Sequence, residues 1–600
     1  MTSTDAGLKV LDLSNLTRDD KIGVALSGGG FRASLFHIGV LARLAEMDIL
    51  KHVHVISTVS GGSIIGAYYY LKIKELLEGN RKDLTGGQGR ITRECYVAII
   101  REIEKEFLDG VQNNLRGRLF ADAISNGKML INDEYSRSDR MGDLYDTFFF
   151  RRFAKAPEQK PVLLKDIKII PEGEERGSFN LSDYNNRAEF KIPILTINAT
   201  SLNTGNSWHF TSSWIGESRP SQAFNTNTVL KFLRLDGVYP GGPDFSPEGD
   251  ERQKNLRNAK FRQIRVADAV AASACVPGVF KPLAIHDLYW NSHGEEIVVQ
   301  LVDGGVFDNQ GIDALAKAQC DYVICSDGSG QIEDELDPVS KFYAVVNRSN
   351  SILMKRVREE TVENLYSGHC AHKDWCFLHL RQTCRGDIVY PAIPGPADQS
   401  DPDQRNGHVY RLSNLRTDLD TFSDVEAFAL MYHGYMLANE SFAIKGEALR
   451  HSWRFLAIAP MIANESERLL EHLTIGAKLS FKLLSLSAPI KYSLIFSGAL
   501  LGICAFAHYA ILMEFIGALL DLVLWVAPAL LLIWGVAVLV DRYSGKVPLL
   551  NDLKKALQTY RRQDSNLLTR FAAGISSLFV VASVTYVRFL DPIFKKIGKV

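Results

Sequence analysis

The sequence predicts an α/β protein with a mainly parallel sheet and helices on both faces of that sheet. An apolar run at 22–26 breaks into glycines, and helical periodicity begins at about residue 33. A second β-branched run at 53–58 also ends in a glycine-containing turn and is followed by a helical pattern. Further apolar runs of strand length occur at 190–200 and 297–302. Strands that alternate with helices are typical of parallel sheets.

The two turns in the first 70 residues carry groups suited to acyl transfer. The second turn contains Ser60, and a serine at a sharp strand-to-helix turn projects its hydroxyl from the end of a sheet. The first turn contains the glycine run 28–30, where backbone N–H groups can converge because no Cβ intervenes. Donors at the start of a helix stabilise a developing oxyanion. We therefore predict that one turn supplies the nucleophile and that the other stabilises the tetrahedral intermediate.

Both turns match a known family. The stretches SGGGFRASLFHIGVL and STVSGGSIIGA resemble the patatin-like lipid acyl hydrolases. In that family a Gly-Gly-Gly-x-Arg loop forms the oxyanion hole, and a Gly-x-Ser-x-Gly elbow carries the nucleophile. An aspartate in Asp-Gly-Gly or Asp-Gly-Ala completes a Ser-Asp dyad without histidine. The resemblance implies a three-layer sandwich and hydrolysis of lipid acyl esters, without a metal or an organic cofactor.

The family motifs map onto individual residues of this chain. Ser60 is the implied nucleophile and Asp303, at the end of the run 297–302, is the implied general base. The elbow departs from the family pattern at Thr58, which replaces the first glycine. The implied oxyanion hole consists of Gly28, Gly29 and Gly30. The implied supporting residues are Arg32, Gly61, Gly62, Gly304 and Gly305.

The resemblance covers most of the chain in ordered blocks. ASACVPGVFKPL at 272–283 is close to a helix end found in the family, and 412–439 resembles a helical segment of its bacterial members. We therefore predict a catalytic domain at 21–450 after a polar leader at 1–20. The charged stretch 80–187 is a variable insertion, either part of a lid or a solvated elaboration. Residues 451–491 are expected to form a helical connector.

Composition restricts the compartment and the partners. Lys plus Arg total 68 and Asp plus Glu total 69 among 600 residues, so no overall basic field attracts nucleic acid. The eight cysteines are scattered, and residues 1–20 lack a secretory signal, which favours a cytoplasmic catalytic domain. Histidines and cysteines cluster at 368–384, but without zinc-site spacing, so no metal is predicted. Oligomeric state is left open.

The C-terminal part of the sequence is much more apolar. Residues 492–513 and 522–540 are each long enough to cross a bilayer, and they predict a transmembrane hairpin over 492–540. Lysines precede this hairpin and basic residues follow it, so both ends are expected on the cytoplasmic side. Within the basic region 541–600, a third apolar segment at 571–590 suggests an in-plane or re-entrant helix.

The prediction is a membrane-associated serine lipid acyl hydrolase of the phospholipase A or lysophospholipase type. Two other interpretations fit the residues. Thr58 is the support for a membrane scaffold whose hydrolase domain does not turn over. An ordinary α/β-hydrolase would use a Ser-His-acid triad and would need a histidine after the acid, such as His408 or His433.

Overall fold

The structure is a computed structural model. It describes residues 9–86, 90–121, 135–153, 160–175, 177–217, 233–234, 259–260, 263–291, 293–330, 332, 335–367, 372–384, 407–442, 453–478, 482, 583 and 586–600. The chain divides into two compact units, of which the first comprises residues 1–482 and 584–600 and the second residues 483–583. The predicted hairpin at 492–540 therefore lies outside the described residues.

Among the described residues, ten strands form one sheet. They are β1 (Ile22–Leu26), β2 (Val53–Val59), β3 (Ile194–Ser201), β4 (Ser207–Phe210), β5 (Trp214–Glu217), β6 (Leu233–Arg234), β7 (Leu283–Trp290), β8 (Glu296–Asp303), β9 (Tyr322–Asp327) and β10 (Asp374–His379). Their order is β10-β9-β1-β2-β3-β4-β5-β6, and β8 pairs with both β3 and β7.

The helices of the first unit connect these strands or cover the sheet. They are α1 (Gly30–Glu46), α2 (Gly61–Leu77), α3 (Arg93–Val111), α4 (Leu115–Ala121), α5 (Arg137–Tyr145), α6 (Leu181–Arg187), α7 (Val266–Ser273), α8 (Gly305–Asp308), α9 (Ile312–Lys317), α10 (Phe342–Tyr366), α11 (His408–Ser413), α12 (Asp424–Glu440), α13 (Ala459–Ala463), α14 (Glu467–Gly476) and α15 (Asp591–Ile597). Shorter 3-10 and π turns occur at Leu50–His52, Asp146–Phe150, Arg151–Phe153, Leu164–Asp166, Arg454–Ile458 and Tyr586–Leu590.

Apolar side chains lie on both faces of the sheet, as predicted. Neighbouring residues of one strand belong to different clusters: Val24 packs in the larger cluster and Ala25 in the smaller one. Successive side chains of a strand point to opposite faces, so each face is covered by its own layer. The larger layer includes α1 and α12, which approach closely at Gly39, where an added Cβ would lie 1.8 Å from the Met431 carbonyl oxygen.

The prediction of a mainly parallel sheet is only partly right. The five strands β10, β9, β1, β2 and β3 are parallel to one another. The strands beyond β3, and β8 with β7, pair in the antiparallel direction. The sheet is therefore mixed. Periodicity identifies a strand but does not give the direction of its partner, which is why the sequence did not reveal the antiparallel half.

The predicted end of the catalytic domain near residue 450 is too early. Residues after it pack into the first unit: Trp453 donates a hydrogen bond to Glu46 at 2.8 Å. Lys482 is buried against Thr421, whose carbonyl oxygen accepts from its Nζ at 2.9 Å. The Thr421 hydroxyl donates to Asp591 at 3.1 Å, so the chain beyond residue 583 returns to the same place.

Most of the predicted interfacial helix at 571–590 lies outside the described residues, which include only Ser583 and the last five residues of that segment. Within the first unit, Val587 lies beside Gly117 of α4, where an added Cβ would be 2.5 Å from a Val587 methyl carbon. Asp591, which follows it, is 3% exposed. Tyr586–Leu590 and α15 therefore pack on the catalytic unit.

Candidate active site

Ser60 occupies a strained turn between β2 and α2. Its backbone has φ 50° and ψ −117°, a conformation that residues other than glycine rarely adopt. The next two residues must be small, since a Cβ on Gly61 would lie 2.1 Å from the Gly30 carbonyl oxygen and one on Gly62 would lie 2.2 Å from the Leu26 carbonyl oxygen. The backbone N–H of Ser60 donates to the Ser273 hydroxyl at 2.9 Å. This is the geometry of a nucleophile elbow.

Thr58 fits behind the elbow because Gly66 leaves room for it. A Cβ on Gly66 would lie 2.4 Å from the Thr58 methyl carbon. The Thr58 hydroxyl donates to the Thr196 carbonyl at 3.1 Å and accepts from Ser63 at 3.0 Å. The threonine that departs from the family pattern is therefore accommodated without an unpaired hydroxyl. The interpretation of the chain as an inactive scaffold loses the observation that supported it.

Asp303 lies beside Ser60 although it reaches this edge from the opposite direction. Its strand, β8, is antiparallel to β3 and pairs Asp303 with Ala199. Ser60 and Asp303 therefore do not both follow parallel strands. Ser60 follows the parallel strand β2, whereas Asp303 ends the antiparallel strand β8. Asp303 is 5% exposed and Ser60 is 6% exposed.

The carboxyl of Asp303 is held in a protein environment that favours its neutral form. Burial raises its pKa from 3.8 to about 6. Hydrogen bonds from the Gly305 N–H and from the Ser60 side chain act in the opposite direction and lower this pKa. The Gly305 N–H lies 2.8 Å from the carboxylate oxygen Oδ1. A carboxylate with a pKa closer to neutrality is a better acceptor for the proton of a serine hydroxyl.

The glycine loop separates into two parts. The N–H of Gly28 donates to the Asn309 carbonyl at 3.0 Å, so the predicted role of this amide in the oxyanion hole is wrong for this conformation. Gly29 and Gly30 line the cavity that contains Ser60 and Asp303, and both have positive φ, of 134° and 59°. Within the described residues, their N–H groups have no acceptor, and they point from the first turn of α1.

A third amide belongs to this group of donors. Gly61 follows the nucleophile, begins α2 and lines the same cavity. Gly61 was predicted only as a supporting residue. The amide after a nucleophile commonly contributes to an oxyanion hole, so the rule for elbows could have identified it.

Arg32 stabilises the loops around the site and does not reach the cavity. It is 2% exposed, and its guanidinium donates to the carbonyls of Ser413 at 2.9 Å and Leu415 at 2.6 Å. It also donates to the Gly328 carbonyl at 3.2 Å. The arginine thereby ties the oxyanion loop to two segments far away in sequence.

The cavity above the dyad has a volume of about 900 Å³ and two different walls. One wall is largely apolar and comes from α4, α5 and the segment after α7; it comprises Leu119, Phe120, Met141, Val276, Pro277, Val279 and Phe280. The other is formed by α10 and contains Arg348, Lys355 and Arg358. Because α4 and α5 belong to the predicted insertion at 80–187, part of this insertion lines the site.

Histidines take no part in the described cavity wall. His433 is buried, and its Nε2 lies 3.0 Å from the Leu380 carbonyl oxygen, while His408 contacts Glu465 at 3.3 Å. His37 supports the loops through Ser326 at 2.7 Å and the Ser27 carbonyl at 3.0 Å. Burial lowers its pKa to about 4, so it is neutral. A Ser-His-acid triad therefore has no histidine in position among the residues that the structure describes.

Ser273 is a supporting residue that was not predicted from sequence, and it holds the elbow through the Ser60 amide. Asn309, which the sequence suggested as a turn-forming and orienting group, accepts from Gly28 through its carbonyl and lines the cavity. Their roles depend on contacts across more than 200 residues of sequence, which no local pattern carries.

In the described part of the chain, no three metal-ligating side chains come together.

Comparison with known proteins places these motifs in a family. The sequence model of one protein family, described as patatin-like phospholipase, matches residues 24–316. No curated protein matches the chain significantly. Within the described ranges, no helix has both the length and the apolar character that a bilayer crossing requires.

Two solved structures illustrate the similarity. One is human GIVD cytosolic phospholipase A2 in complex with methyl gamma-linolenyl fluorophosphonate, with 14% identity over 76% of this chain and a TM-score of 0.34. The chain covers 60% of that phospholipase's length. The other is VipD from Legionella pneumophila, with 14% identity over 81% of this chain and 87% of VipD, and a TM-score of 0.23.

Proposed function

We propose that this chain, which matches the patatin-like phospholipase model over residues 24–316, is a member of that family and hydrolyses lipid acyl esters with a Ser60–Asp303 dyad. The observation that carries this proposal is the placement of both side chains in one cavity, where a hydrogen bond from Ser60 lowers the pKa of Asp303. A nucleophile and a base in such contact are the minimum requirement for covalent acyl transfer.

The reaction follows from the positions of these groups. Asp303 accepts the hydroxyl proton while Ser60 Oγ attacks the ester carbonyl. The oxyanion that forms is stabilised by the amides of Gly29 and Gly30, with Gly61 as a third donor. Asp303 then returns its proton to the departing alcohol, and an acyl-serine remains. Water then attacks this ester while Asp303 takes one of its protons, and Asp303 returns that proton to Ser60 Oγ as the acyl–oxygen bond breaks and the fatty acid leaves.

The apolar cavity wall supports a lipid substrate. Phe120, Val279 and Phe280 lie on the side on which an acyl chain would find apolar surface. The proposal covers glycerophospholipids and related acyl esters, with phospholipase A or lysophospholipase activity. The chemistry uses side chains and amides, so it needs no metal or organic cofactor.

Membrane association is part of the proposal and rests on sequence. Residues 522–540 carry no charged side chain, and 492–513 are nearly as apolar. Lys482 before this region and Asp591 after it both contact Thr421. A segment that leaves and returns at one point suits a hairpin with both ends on the cytoplasmic side. We propose that the catalytic domain faces the cytoplasm.

The test compares two serines in the purified full chain. Ser60→Ala is expected to abolish both hydrolysis of a short-chain nitrophenyl ester and labelling by a fluorophosphonate probe. Ser182→Ala is the control, because Ser182 is exposed in α6 and does not line the cavity. Labelling or turnover that survives in Ser60→Ala would exclude Ser60 as the nucleophile.

A further inference from the structure

Helix α10 exposes a continuous apolar stripe. The stripe consists of Phe342, Val345, Val346, Ile352 and Leu353, which are 86%, 46%, 49%, 52% and 62% exposed. With 3.6 residues per turn these positions fall within an arc of about 120°. Eight of the fifteen large apolar residues that are exposed in the described part of the chain lie between residues 336 and 366. Such clustering marks an interaction surface, whereas isolated exposed apolar residues do not.

The opposite face of the same helix lines the cavity and is polar. Ser351, Met354 and Arg358 line the cavity, and they lie on the side of the helix away from Leu353. A surface helix of a soluble protein normally buries its apolar face and exposes its charged face. Helix α10 has the reverse orientation. Its apolar stripe therefore has no partner in the described residues of the catalytic unit.

The charge of this helix is uneven. Residues 341–358 contain five cations, Lys341, Arg348, Lys355, Arg356 and Arg358, and the carboxylates of this helix, Glu359, Glu360 and Glu363, all follow them. Two of these cations have acidic partners outside this stretch: Arg348 pairs with Glu335 at 3.0 Å and Lys355 with Glu359 at 3.6 Å. An apolar stripe flanked by lysine and arginine is the pattern of a helix that lies in the surface of an anionic bilayer.

A second apolar element borders the same cavity. Val276 and Val279 line it and are 42% and 59% exposed. They belong to the wall that faces α10. Apolar side chains are thus exposed on the cavity wall as well as on the outer side of α10.

We propose that the α10 stripe docks the cavity onto an anionic lipid bilayer. This inference rests on the proposed function, since a lipid hydrolase must draw its substrate from such a surface. The cations at 341–358 surround the stripe itself, whereas the carboxylates of α10 follow it, so the stripe with its flanking charges complements an anionic surface.

The first test measures where the stripe lies when lipid is present. Leu353→Cys in the full chain, labelled with a nitrobenzoxadiazole fluorophore, is reconstituted in vesicles of phosphatidylglycerol and phosphatidylcholine with and without brominated acyl chains. Leu202→Cys is the matched control, since Leu202 is 54% exposed on the catalytic unit and far from α10 in sequence. Unsubstituted chain treated in the same way measures background labelling.

The label at position 353 is expected to shift to shorter wavelength and to be quenched by brominated lipid, while the label at 202 is not. Equal quenching at both positions would overturn the proposal. A shifted but unquenched label at 353 would also overturn it, because a second copy or another part of this chain would then cover the stripe.

The second test separates docking from chemistry. Val346→Ser combined with Leu353→Ser is expected to raise the apparent KM for phosphatidylglycerol vesicles at least tenfold and to leave kcat on a water-soluble nitrophenyl ester unchanged. Leu202→Ser should alter neither. If the double variant hydrolyses vesicles like the unsubstituted chain, the docking proposal is wrong and the hydrolase proposal stands. If the unsubstituted chain hydrolyses neither substrate, the proposed function itself is wrong.

Discussion

Replacement of Asp303 by asparagine should abolish catalysis and stabilise the fold. The carboxyl is buried, with one of its oxygens accepting from the Gly305 N–H at 2.8 Å. Asparagine keeps the shape and that acceptor, but it cannot take a proton from Ser60. General bases typically contribute 10² to 10⁴ in rate, so turnover should fall by at least about 10². The same substitution removes a charge that burial disfavours.

The size of the stabilisation follows from the pKa of Asp303. Burial raises this pKa from 3.8 to about 6. The folded state therefore binds more protons than the unfolded state between these values, and stability falls as pH rises through that window. A rise of about two pKa units lowers the unfolding free energy by about 3 kcal/mol. This loss is complete above pH 6 and absent below pH 4. For a unit of about 500 residues this is about 3 °C in Tm.

The assay is thermal unfolding of both proteins from pH 4 to pH 8, followed by circular dichroism in identical lipid. All other titrating groups are common to the two proteins, so the difference in Tm isolates Asp303. The variant should match the unsubstituted chain near pH 4 and exceed it by about 3 °C at pH 7. In parallel, kcat/KM of the unsubstituted chain should fall tenfold per pH unit below about pH 6, because Asp303 becomes protonated.

Asp308→Asn provides the contrast. Burial also raises the pKa of Asp308, but both of its oxygens accept backbone N–H groups, from Gln310 at 3.0 Å and from Asp313 at 2.8 Å. Asparagine would leave one of these donors unpaired, which costs about 1–3 kcal/mol, so this variant should lose stability at pH 7. A Tm difference for Asp303→Asn that does not change between pH 4 and pH 8 would refute the argument from burial. Near-normal turnover of that variant would remove Asp303 from the dyad.

Three further outcomes are expected. Gly29→Ala should reduce turnover by about 10² to 10³, as measured on a soluble ester, because its Cβ would lie 2.8 Å from the Gly328 carbonyl and displace an oxyanion donor. Gly66→Ala should lower Tm because its Cβ meets the Thr58 methyl group at 2.4 Å, and adding Thr58→Gly should restore the Tm. Tm changes of the two substitutions that simply add in the double variant would contradict this prediction. His433→Gln should keep turnover within a few-fold of normal, and an inactive, folded variant would revive the triad.

The strand-turn-helix units at 22–77 could be predicted because each is local. The apolar run, the glycine turn and the helical period follow one another within 30 residues, and the structure confirms both units. The antiparallel half of the sheet could not be predicted in this way. Strands such as β4 and β5 have only four residues each, which is too short for a pattern that fixes a partner. The direction of β8 likewise depends on its pairing with β3.

Parts of the site were predictable for a different reason. The placement of Ser60 follows from the turn chemistry of a single segment, whereas Asp303 was assigned through the family motif. Which amides of the glycine loop are available for the oxyanion was not predictable. Gly28 and Gly29 are both glycines, and they differ because the Gly28 N–H donates to the Asn309 carbonyl. The exposure of the apolar face of α10 was not predictable either, because it depends on which face of the helix lines the cavity.

The convergence of Lys482 and Asp591 on Thr421 has a practical consequence for handling this protein. Residues 483–583, the second unit, lie between these two anchors in sequence, so they can be excised and the gap closed with a short glycine-serine linker. Truncation after residue 482 would be a different operation, because it would discard α15 and strip Asn114 and Thr421 of their shared carboxylate. A shortened version for crystallisation should therefore be an internal deletion that retains residues 586–600.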